Sequence, residues 1–334
     1  MKKLYLISND KIWLSKKNYT SNNDLDNIIS CLSKNYKIGL IARKSFQKFN
    51  FQITNDFNFQ EVKKIKEKKM NIFMISISPF NFLAFIHLLL RGKEFNGVVY
   101  LRSDGFLEYK IRYGFIGYYF YYLMFYFIKK KLKIISCSKN FTNVNVKKIV
   151  HPSELDSSWF TKSKIKKKFK TDFLYVGRFK KDKGALYLSK IFKEDFPKYK
   201  LTMIGTKKKN IDKKFYNKNI NFMGPIYDKK KLIDIYDSSR IFILPSYIEG
   251  FPKVISESLA RLKPVIVFQD IKYVVNGRKG IFISKRDKKN LKKTIKFIFK
   301  NYNFIQKKIG NNYFYTKNNF KKELLSLIQN EFKN

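Results

Sequence analysis

The most constraining feature of this sequence is a rhythm in which short, uninterrupted apolar runs alternate with longer stretches of helical character. The runs of the first half predict strands at Leu4–Ile7, Ile38–Ala42, Ile72–Ile77, Val98–Leu101 and Ile134–Ser136. Phe82–Leu90 and Ile111–Ile128 have the length of helices between such strands. Continuous apolar strands separated by helices are typical of parallel sheets covered on both faces. The first half is therefore predicted to be a doubly wound α/β domain.

The same rhythm restarts after the basic stretch Lys162–Lys170, which is the predicted linker. Strands are predicted at Phe173–Val176, Leu201–Ile204, Ile220–Phe222, Ile241–Leu244, Val265–Phe268 and Ile281–Ile283. Helices are predicted at Gly184–Phe192, Lys229–Ser238, Lys253–Leu262 and Lys288–Phe299. Ligands of such sheets bind beyond the carboxyl ends of the strands.

A length of 334 residues accommodates two domains of about 150 residues each. We predict an α/β protein with two doubly wound, Rossmann-like domains that face a cleft. The N-terminal domain is predicted over 1–165 and the C-terminal domain over 166–310. A C-terminal helix is predicted in 311–334. This helix either stays with the C-terminal domain or crosses back to pack on the N-terminal domain.

The chain is strongly basic, with 71 Lys and Arg residues against 25 Asp and Glu residues and a formal net charge of +46. Such a surface attracts polyanions, including nucleic acid and anionic membranes. Nearly all of the excess is lysine, and this composition also arises from A/T-rich codons, so selection and compositional bias both remain open. The lysines are spread over nearly every segment and no nucleic-acid motif occurs, so we expect no nucleic-acid partner.

The cellular compartment is predicted from the cysteines and the N-terminus. Cys31 and Cys137 are too few for a disulfide framework and both lie in apolar segments, which favours a reducing cytoplasm. The apolar run at Met1–Ile7 is too short for a signal peptide. We also expect no membrane-spanning segment, because no window offers about 20 apolar residues.

The aromatic stretch Tyr113–Ile128 has two interpretations. It is either a core or dimer helix whose tyrosine hydroxyls reach the surface, or a helix that lies in the interface of an anionic membrane. Arg112 and Lys129–Lys131 flank it, and such an arrangement suits the second interpretation. Peripheral attachment to the inner face of the cytoplasmic membrane is therefore the alternative to a purely cytoplasmic location.

Two carboxylates follow the predicted strand Ile241–Leu244. Glu249 lies in a glycine-containing loop, and Glu257 lies on the next helix, away from the apolar stripe Val254, Ile255, Leu259 and Leu262. Pro252 is suited to the first helical position, and the loop amides and helix dipole form an anion site. One carboxylate can face a sugar and the other can accept hydrogen bonds from a ribose diol. The alternative is two solvated glutamates.

A second candidate turn follows the predicted strand Phe173–Val176. Gly177 allows the backbone to approach a ligand closely. Arg178, one of nine arginines in the chain, can bind a phosphate with its guanidinium fork. Lys183 follows on the same turn, although a lysine is weak evidence in this sequence.

Taken in order, these blocks resemble the retaining GT-B glycosyltransferases of family 4, the glycosyl transferases group 1. The resemblance runs from Phe173 to about Lys300, and Glu249 and Glu257 match the E-x7-E pattern of that family. The matching blocks are Val176–Arg178, Lys183-Gly184, Met203–Gly205, Ile220–Gly224, Ile241–Pro252, Glu257–Ala260 and Pro264–Ile266.

The resemblance implies a role for each matching position. Arg178, Lys183 and Glu249 would be catalytic: the two cations would neutralise the donor diphosphate, and Glu249 would lie beside the transferred sugar. Glu257 would hold the ribose hydroxyls. Met223, Gly224 and Ile226 would line the base pocket. Further donor contacts are implied at Gly177, Gly205, Gly250, Phe251, Pro252, Lys253 and Val254.

The resemblance also implies the substrates: a nucleotide-sugar donor and a saccharide or lipid-linked acceptor, in surface polysaccharide, lipopolysaccharide or glycolipid synthesis. Retention of anomeric configuration without metal or cofactor is implied as well. The D-x-D sequence Asp24-Leu25-Asp26 is interpreted as helix capping and solvation. A polyanion-binding protein and a sugar-nucleotide epimerase of the same fold are the alternative functions.

The sequence departs from the family in three places. Leu262-Lys263 replaces a glycine before Pro264, so a different turn is expected there. The loop after the first strand, from Ser8 to Ser21, has no glycine. Arg102 and Asp104 stand where a cleft histidine is frequent, and they either form the acceptor side of the site or pair with each other.

Overall fold

The chain forms two compact units in the computed structural model, which describes residues 1–14, 19–49, 51–53, 55–146, 148–160 and 169–332. One unit contains Met1–Pro152 and Asn318–Asn334, and the other contains Ser153–Lys317. The division falls before the expected position at 165, because Leu155 and Trp159 are already buried in the core of the second unit. Most of the predicted linker, at 161–168, lies outside the described residues.

The secondary structure elements alternate as expected for a doubly wound α/β protein. The strands are β1 (Lys2–Leu14), β2 (Tyr19–Ser21), β3 (Tyr36–Lys44), β4 (Phe51–Ile53), β5 (Asn58–Phe59), β6 (Lys69–Ile75), β7 (Glu94–Leu101), β8 (Lys133–Ser136), β9 (Thr171–Val176), β10 (Leu201–Ile204), β11 (Ile220–Met223), β12 (Ser239–Leu244), β13 (Val265–Phe268) and β14 (Ile281–Ser284). The helices are α1 (Asn23–Leu32), α2 (Pro79–Leu90), α3 (Gly105–Lys129), α4 (Ala185–Glu194), α5 (Lys229–Asp237), α6 (Lys253–Ala260), α7 (Lys288–Lys300), α8 (Tyr302–Ile309) and α9 (Lys317–Glu331).

The first unit is built on a parallel sheet in the order β5-β3-β1-β6-β7-β8. Numbered within the unit, this is the Rossmann order 3-2-1-4-5-6. β1 continues beyond the sheet and pairs antiparallel with β2, which in turn pairs with β4. Where the sequence lacks the glycine loop of the family, the chain therefore continues as an extended strand.

The C-terminal helix α9 packs within the first unit. Leu324 and Ile328 are fully buried, and the thiol of Cys31 donates a hydrogen bond to the carbonyl of Lys321 at 3.2 Å. The carboxylate of Glu331 is 2.6 Å from Nζ of Lys133 and also binds Lys148. These contacts tie the end of the chain to its first half.

The second unit is built on a parallel sheet in the order β11-β10-β9-β12-β13-β14. This is again the order 3-2-1-4-5-6 within the unit, with Phe173, Phe242 and Phe268 fully buried in its core. The strand order reverses between β9 and β12. In sheets of this kind, ligands bind at the carboxyl ends of the two strands that flank the reversal. The turns after Val176 and Leu244 are therefore the first places to look for a site.

Candidate functional site

The two turns beside the strand reversal touch through their backbones. Gly184 has φ of +65°, and a Cβ atom at this position would lie 1.8 Å from the carbonyl oxygen of Pro245. The amide of Tyr247 donates a hydrogen bond to the carbonyl of Asp182 at 3.0 Å. Only glycine fits at position 184, because any side chain would push the two turns apart. Lys183 is thereby held against the loop that follows β12.

A second close backbone contact joins the turns after β9 and β10. Gly205 has φ of +123°, and a Cβ atom there would lie 2.3 Å from the carbonyl oxygen of Gly177. A Cβ atom on Gly177 would lie 2.6 Å from the hydroxyl of Tyr175. At Gly177 and Gly205 the carboxyl edge of the sheet therefore carries no side chain, which leaves room for a ligand to approach the backbone.

Lys183 and Glu249 form an ion pair across the strand reversal. Nζ of Lys183 lies 2.8 Å from Oε1 of Glu249, and the hydroxyl of Ser246 donates to the same oxygen at 2.7 Å. The side chains are only 24% and 11% exposed, so solvent screens this pair less than a surface pair. The sequence predicted both residues separately, as a phosphate ligand and a sugar neighbour. The structure brings them into direct contact.

The backbone of Glu249 is fixed by Tyr273, a residue that the sequence analysis missed. The Tyr273 hydroxyl donates to the Glu249 carbonyl at 2.5 Å, and the Glu249 amide donates to that hydroxyl at 3.1 Å. No sequence signal marks Tyr273, because its role depends on a contact made 24 residues away along the chain.

Arg286, which lies just after β14, binds the same loop. The sequence analysis also missed this residue. Its Nη2 donates to the carbonyls of Pro245 at 2.7 Å and Ser246 at 2.8 Å, while Nε binds Asp270 at 2.7 Å. The guanidinium also stacks 3.9 Å from the ring centre of Tyr247. The available signal was its rarity: it is one of nine arginines and it closely follows a strand.

Arg178 lies at the end of β9 with its side chain exposed. Its carbonyl accepts a hydrogen bond from the Tyr175 hydroxyl at 2.8 Å, which fixes the backbone of the turn. Among the described residues, its guanidinium has no hydrogen-bond or ion-pair partner. A guanidinium in this position is available to bind an anion.

Glu257 is oriented by a fully buried tyrosine on α5. The Tyr236 hydroxyl donates to Oε2 of Glu257 at 2.9 Å. Burial and the neighbouring carboxylate raise the pKa of Tyr236 well above its ordinary value, so the phenol remains a donor. Ile255 and Leu259 are fully buried on α6, so Glu257 lies away from the apolar stripe as predicted.

α6 begins at the predicted residue but ends before the predicted one. The helix begins at Lys253, and Pro252 is the N-cap residue with ψ of 99° rather than the first helical residue. It ends at Ala260, because Leu262 adopts φ of +57°. The amide of Lys263 donates to the carbonyl of Ser258 at 3.0 Å, and that of Leu262 donates to Leu259 at 2.9 Å. This is a Schellman ending, and leucine occupies its glycine position.

The other predicted donor contacts lie on the same carboxyl edge, on the loop before α6 or in the first turn of α6. The amide of Gly205 donates to the carbonyl of Met223 at 3.2 Å, which joins the turn after β10 to the end of β11. Lys253 lies 3.4 Å from Glu154, and Arg278 lies 6.0 Å from the ring centre of Phe251. Burial lowers the pKa of Arg278 to about 10. Gly224 and Gly250 follow β11 and β12, and Ile226 and Val254 pack partly buried against the core.

Arg102 and Asp104 do not pair with each other. Asp104 is buried, and its carboxylate accepts hydrogen bonds from the amides of Leu107 at 3.1 Å and Thr142 at 2.7 Å. It therefore serves as the N-cap of α3. Arg102 lies 3.4 Å from Asp24. Both residues therefore make structural contacts within the first unit.

Asp24 and Asp26 lie in the first turn of α1, as expected of a helix start, but neither is its N-cap and only Asp24 is partly exposed. The N-cap of α1 is Asn22, whose side chain accepts from the Leu25 amide at 2.9 Å. Asp26 is buried and accepts a hydrogen bond from Asn55 at 2.7 Å. In the described part of the chain, no group of three or more His, Cys, Asp or Glu side chains is placed to hold a metal ion.

The first unit carries a groove that the sequence analysis did not predict. Its volume is about 490 Å³, and it lies at the carboxyl ends of β3 and β5 and the start of α2. Phe59 and Phe80 give it aromatic walls. Arg43, Lys44 and Lys63 line it together with Glu61, which pairs with Lys44 at 2.8 Å, so the lining has a net positive charge. The Arg43 side chain is exposed, and within the described ranges it has no ion-pair partner.

Comparison with known proteins finds a family match within the second unit. Residues 157–313 match the family described as glycosyl transferases group 1. A segment of 151 residues is 33% identical to the capsular polysaccharide biosynthesis glycosyltransferase CapM of Staphylococcus aureus, over 41% of this chain and 39% of that protein. CapH of the same organism is 32% identical over 114 residues, which cover 30% of this chain and 31% of CapH. The chain thus matches less than half the length of either relative.

Solved structures resemble nearly the whole chain. Sucrose-phosphate synthase from Thermosynechococcus elongatus has a TM-score of 0.65 at 13% identity, over 98% of this chain and 95% of that one. WaaG, a glycosyltransferase involved in lipopolysaccharide biosynthesis, has a TM-score of 0.63 at 11% identity, over 97% of this chain and 99% of that one. At these identities the likeness establishes the fold. The prediction of a GT-B protein with two Rossmann-like domains is confirmed.

Proposed function

We propose that this chain, whose residues 157–313 match the glycosyl transferases group 1 family, transfers a sugar from a nucleotide-sugar donor to a saccharide or lipid-linked acceptor. The observation that carries the proposal is the Lys183–Glu249 ion pair, which lies at the strand reversal of a Rossmann sheet. Nucleotides bind at this position in sheets with this strand order, and here a cation and a carboxylate are in contact at that position.

The donor diphosphate would bind Arg178 and Lys183. Arg178 is exposed without a protein partner in the described residues, and Lys183 is only partly exposed beside Glu249. Negative charge builds up on the diphosphate as the bond to the sugar breaks. Fixed cations at this position stabilise that charge and therefore the transition state. The two residues thus supply the charge that a metal ion supplies in other transferases, and the proposed reaction requires no metal.

Glu249 would lie beside the transferred sugar. Ser246, Tyr273 and Lys183 fix its carboxylate and backbone, so the group is preorganised. When a phosphate oxygen binds Lys183, it competes with Glu249 for the same ammonium group. The carboxylate then remains bound to Ser246 and free to interact with a sugar on which positive charge develops. Retention of configuration at the anomeric carbon is the stereochemical outcome that we propose.

Glu257 would accept hydrogen bonds from the ribose of the donor. Tyr236 binds Oε2 at 2.9 Å and fixes the side chain on α6. A carboxylate held in this way can accept two hydroxyl donors of a vicinal diol. The base would then lie toward Met223, Gly224 and Ile226 at the end of β11.

The acceptor would bind in the groove of the first unit rather than at Arg102 and Asp104. Asp104 is committed to capping α3, whereas Arg43 is exposed at the groove. Aromatic walls at Phe59 and Phe80 suit the faces of sugar rings, and the basic residues favour an acceptor that carries negative charge. The names of CapM, CapH and WaaG support the synthesis of a surface polysaccharide or lipopolysaccharide as the process.

The proposal is tested by measuring the thermal stability of the full chain with UDP-, GDP-, ADP- and dTDP-sugars. Binding to the native state raises the unfolding temperature in proportion to the logarithm of ligand concentration above the dissociation constant. We expect one nucleotide class to stabilise the protein and to be hydrolysed slowly when no acceptor is present. If none of these donors raises the unfolding temperature and none is hydrolysed, the chain is not a transferase of this type.

A further inference from the structure

The second half of α3 has a regular buried face. α3 is broken at Gly114, where φ is 65° and ψ is −153°, so 115–129 forms a helical segment of its own. Its buried residues are Gly117, Tyr121, Met124, Phe125 and Ile128. At about 100° per residue, these positions share one side of the helix. This side packs into the first unit.

The opposite side of the segment is apolar as well. From 115 to 127 every exposed residue is aromatic or aliphatic. The members of this aromatic face are Phe115, Ile116, Tyr119, Phe120, Tyr122, Leu123 and Phe127, with exposures from 43% to 83%. The solvent side of a surface helix normally carries charged residues. A contiguous apolar surface of this kind marks an interaction site, whereas single exposed apolar residues do not.

The aromatic face continues onto α2. The rings of Phe82 and Phe127 are 6.2 Å apart, and the neighbouring Leu83 is 65% exposed. The apolar surface is therefore shared by two helices of the first unit rather than confined to one.

Basic residues lie at both ends of the aromatic face, and none lies within it. Nζ of Lys110 is 5.1 Å from the ring centre of Phe115, and Nζ of Lys130 is 4.2 Å from that of Tyr126. Lys129 and Lys131 are exposed beside Lys130. Between Arg112 and Lys129 the sequence has no charged residue. The ammonium groups thus lie around the border of an apolar surface.

We propose that the aromatic face lies in the interface of an anionic lipid bilayer, with Lys129–Lys131 among the headgroups. Aromatic side chains and lysines are favoured together at this depth, because rings enter the acyl boundary while ammonium groups reach the phosphates. The net charge of +46 attracts the chain to such a surface.

The length of the segment determines the mode of binding. At 1.5 Å per residue, 115–129 is about 22 Å long, which is shorter than the ~30 Å hydrocarbon core. Among the helices of the described residues, none is both long and apolar enough to cross a bilayer. The segment therefore lies along the surface, with its axis in the membrane plane.

Charge favours lipid over a second copy of the chain as the occupant. A two-fold interface brings the same surface of each copy together. An antiparallel pair of these segments would place Lys129–Lys131 of one copy beside Lys110 of the other. Like charges in contact oppose such a dimer, whereas anionic headgroups neutralise both ends. The inference does not depend on the proposed sugar transfer, since it rests on the first unit alone.

The experiment is flotation of the full chain with vesicles at physiological salt. One set contains an equimolar mixture of phosphatidylglycerol and phosphatidylethanolamine, and the other contains phosphatidylcholine alone. We expect the protein to float with the anionic vesicles and to float much less with phosphatidylcholine. A protein that stays in the soluble fraction with both sets overturns the proposal.

A pair of matched variants separates apolar insertion from charge attraction. Ile116→Glu with Leu123→Glu places two carboxylates on the aromatic face and should lower partition onto the anionic vesicles by more than about tenfold. Phe297→Glu with Phe304→Glu makes the same charge change at exposed positions of the second unit, 54% and 61% exposed, and should leave partition within about twofold. Equal loss in both variants, or none in the first, would mean that charge alone drives binding and would refute insertion.

The second-copy alternative is tested on the same proteins by light scattering without vesicles. We expect a mass of one chain for the unmodified protein and for the Ile116→Glu, Leu123→Glu variant. A dimer that the variant dissociates, without vesicle binding by the unmodified protein, would identify the aromatic face as a dimer interface. Unchanged thermal unfolding shows that the variant is folded, which is expected because both substituted side chains are more than half exposed.

Discussion

Nζ of Lys183 lies 2.8 Å from Oε1 of Glu249, and this contact joins the turn after β9 to the loop after β12. The two residues are 66 positions apart in the sequence, and the strand order brings them together. In the proposed reaction the ammonium binds the leaving diphosphate and the carboxylate faces the sugar. The two partners therefore predict different kinetic effects when each is replaced.

Lys183→Ala should lower the rate of donor turnover by about 10²-fold, because it removes a fixed cation from the position where charge develops. Donor affinity should fall as well, since the same cation binds the diphosphate of the substrate. The measurement is the rate of donor hydrolysis or sugar transfer at saturating and at limiting donor concentrations. Lys181→Ala is the control, because Lys181 is an exposed lysine on the same turn and should have little effect.

Glu249→Gln should lower turnover without weakening donor binding. The amide keeps a hydrogen-bond acceptor for Ser246 but no longer holds the charge of Lys183, which is then fully available to the diphosphate. Titration calorimetry with the donor gives the affinity, and initial rates give the turnover. Unchanged turnover in the Gln variant would show that Glu249 takes no part in the chemical step.

Tyr236→Phe should weaken binding of a ribose donor by about 3- to 10-fold, because it removes one hydrogen bond that orients Glu257. The comparison that identifies the role uses a 2′-deoxyribose donor of the same base and sugar. The unmodified protein should prefer the ribose donor, and Glu257→Ala should lose this preference. If Glu257→Ala weakens both donors equally and the preference persists, the ribose assignment is wrong. Glu194→Ala, at an exposed glutamate of α4, is the matched control.

The fold was predictable wherever the buried elements are continuous apolar runs. Leu201–Ile204 and Val265–Phe268 have the bounds that the sequence predicted, because Lys200 and Gly205 flank the first run and Pro264 and Gln269 flank the second. β2 and β4 were missed, since two strands of three residues depend on pairing with each other and with the end of β1. The end of α6 was misplaced because Leu262 continues the apolar stripe while its backbone leaves the helix.

The members of the candidate site that could be predicted are those that closely follow strand ends. Arg178, Lys183, Glu249 and Glu257 follow strand ends, so their positions could be read from the pattern. Tyr236 and Tyr273 bind Glu257 and Glu249, and Arg286 binds the carbonyls of the loop before Glu249. These tertiary contacts are encoded by no spacing in the sequence. Asp104 shows what a strand-end position does not reveal, because this carboxylate caps the helix that follows.

Leu262 allows a prediction about stability. A non-glycine residue at φ of +57° costs about 1–2 kcal/mol relative to glycine, and Leu262 also contributes packing, since it is partly buried. Leu262→Ala and Leu262→Gly both lose this packing, but only glycine relieves the backbone. Leu262→Gly should therefore be the more stable of the two by about 1 kcal/mol in urea unfolding. The same pair of substitutions at Lys292, in the interior of α7, should give the opposite order.

The ion pairs of Glu331 predict how the first unit responds to acid. Hydrogen bonds from Lys133 and Lys148 lower the pKa of Glu331 below its ordinary value. Because the folded state binds this proton less tightly than the unfolded state, the contribution is complete above the unfolded pKa of about 4.3. It is lost as pH falls through the lower folded pKa.

Glu331→Gln should therefore destabilise the protein at pH 7 and should have little effect at a pH below the folded pKa, where Glu331 is protonated. The measurement is the urea midpoint of the unmodified and Gln proteins across this range, since the difference between their curves reports this group alone. Because α9 is tied to the first unit through Lys133 and Lys148, the loss should appear as earlier exposure of the buried thiol of Cys31, which faces Lys321. A constant difference between the two proteins at every pH would mean that the pairs with Lys133 and Lys148 contribute packing but no charge-dependent stability.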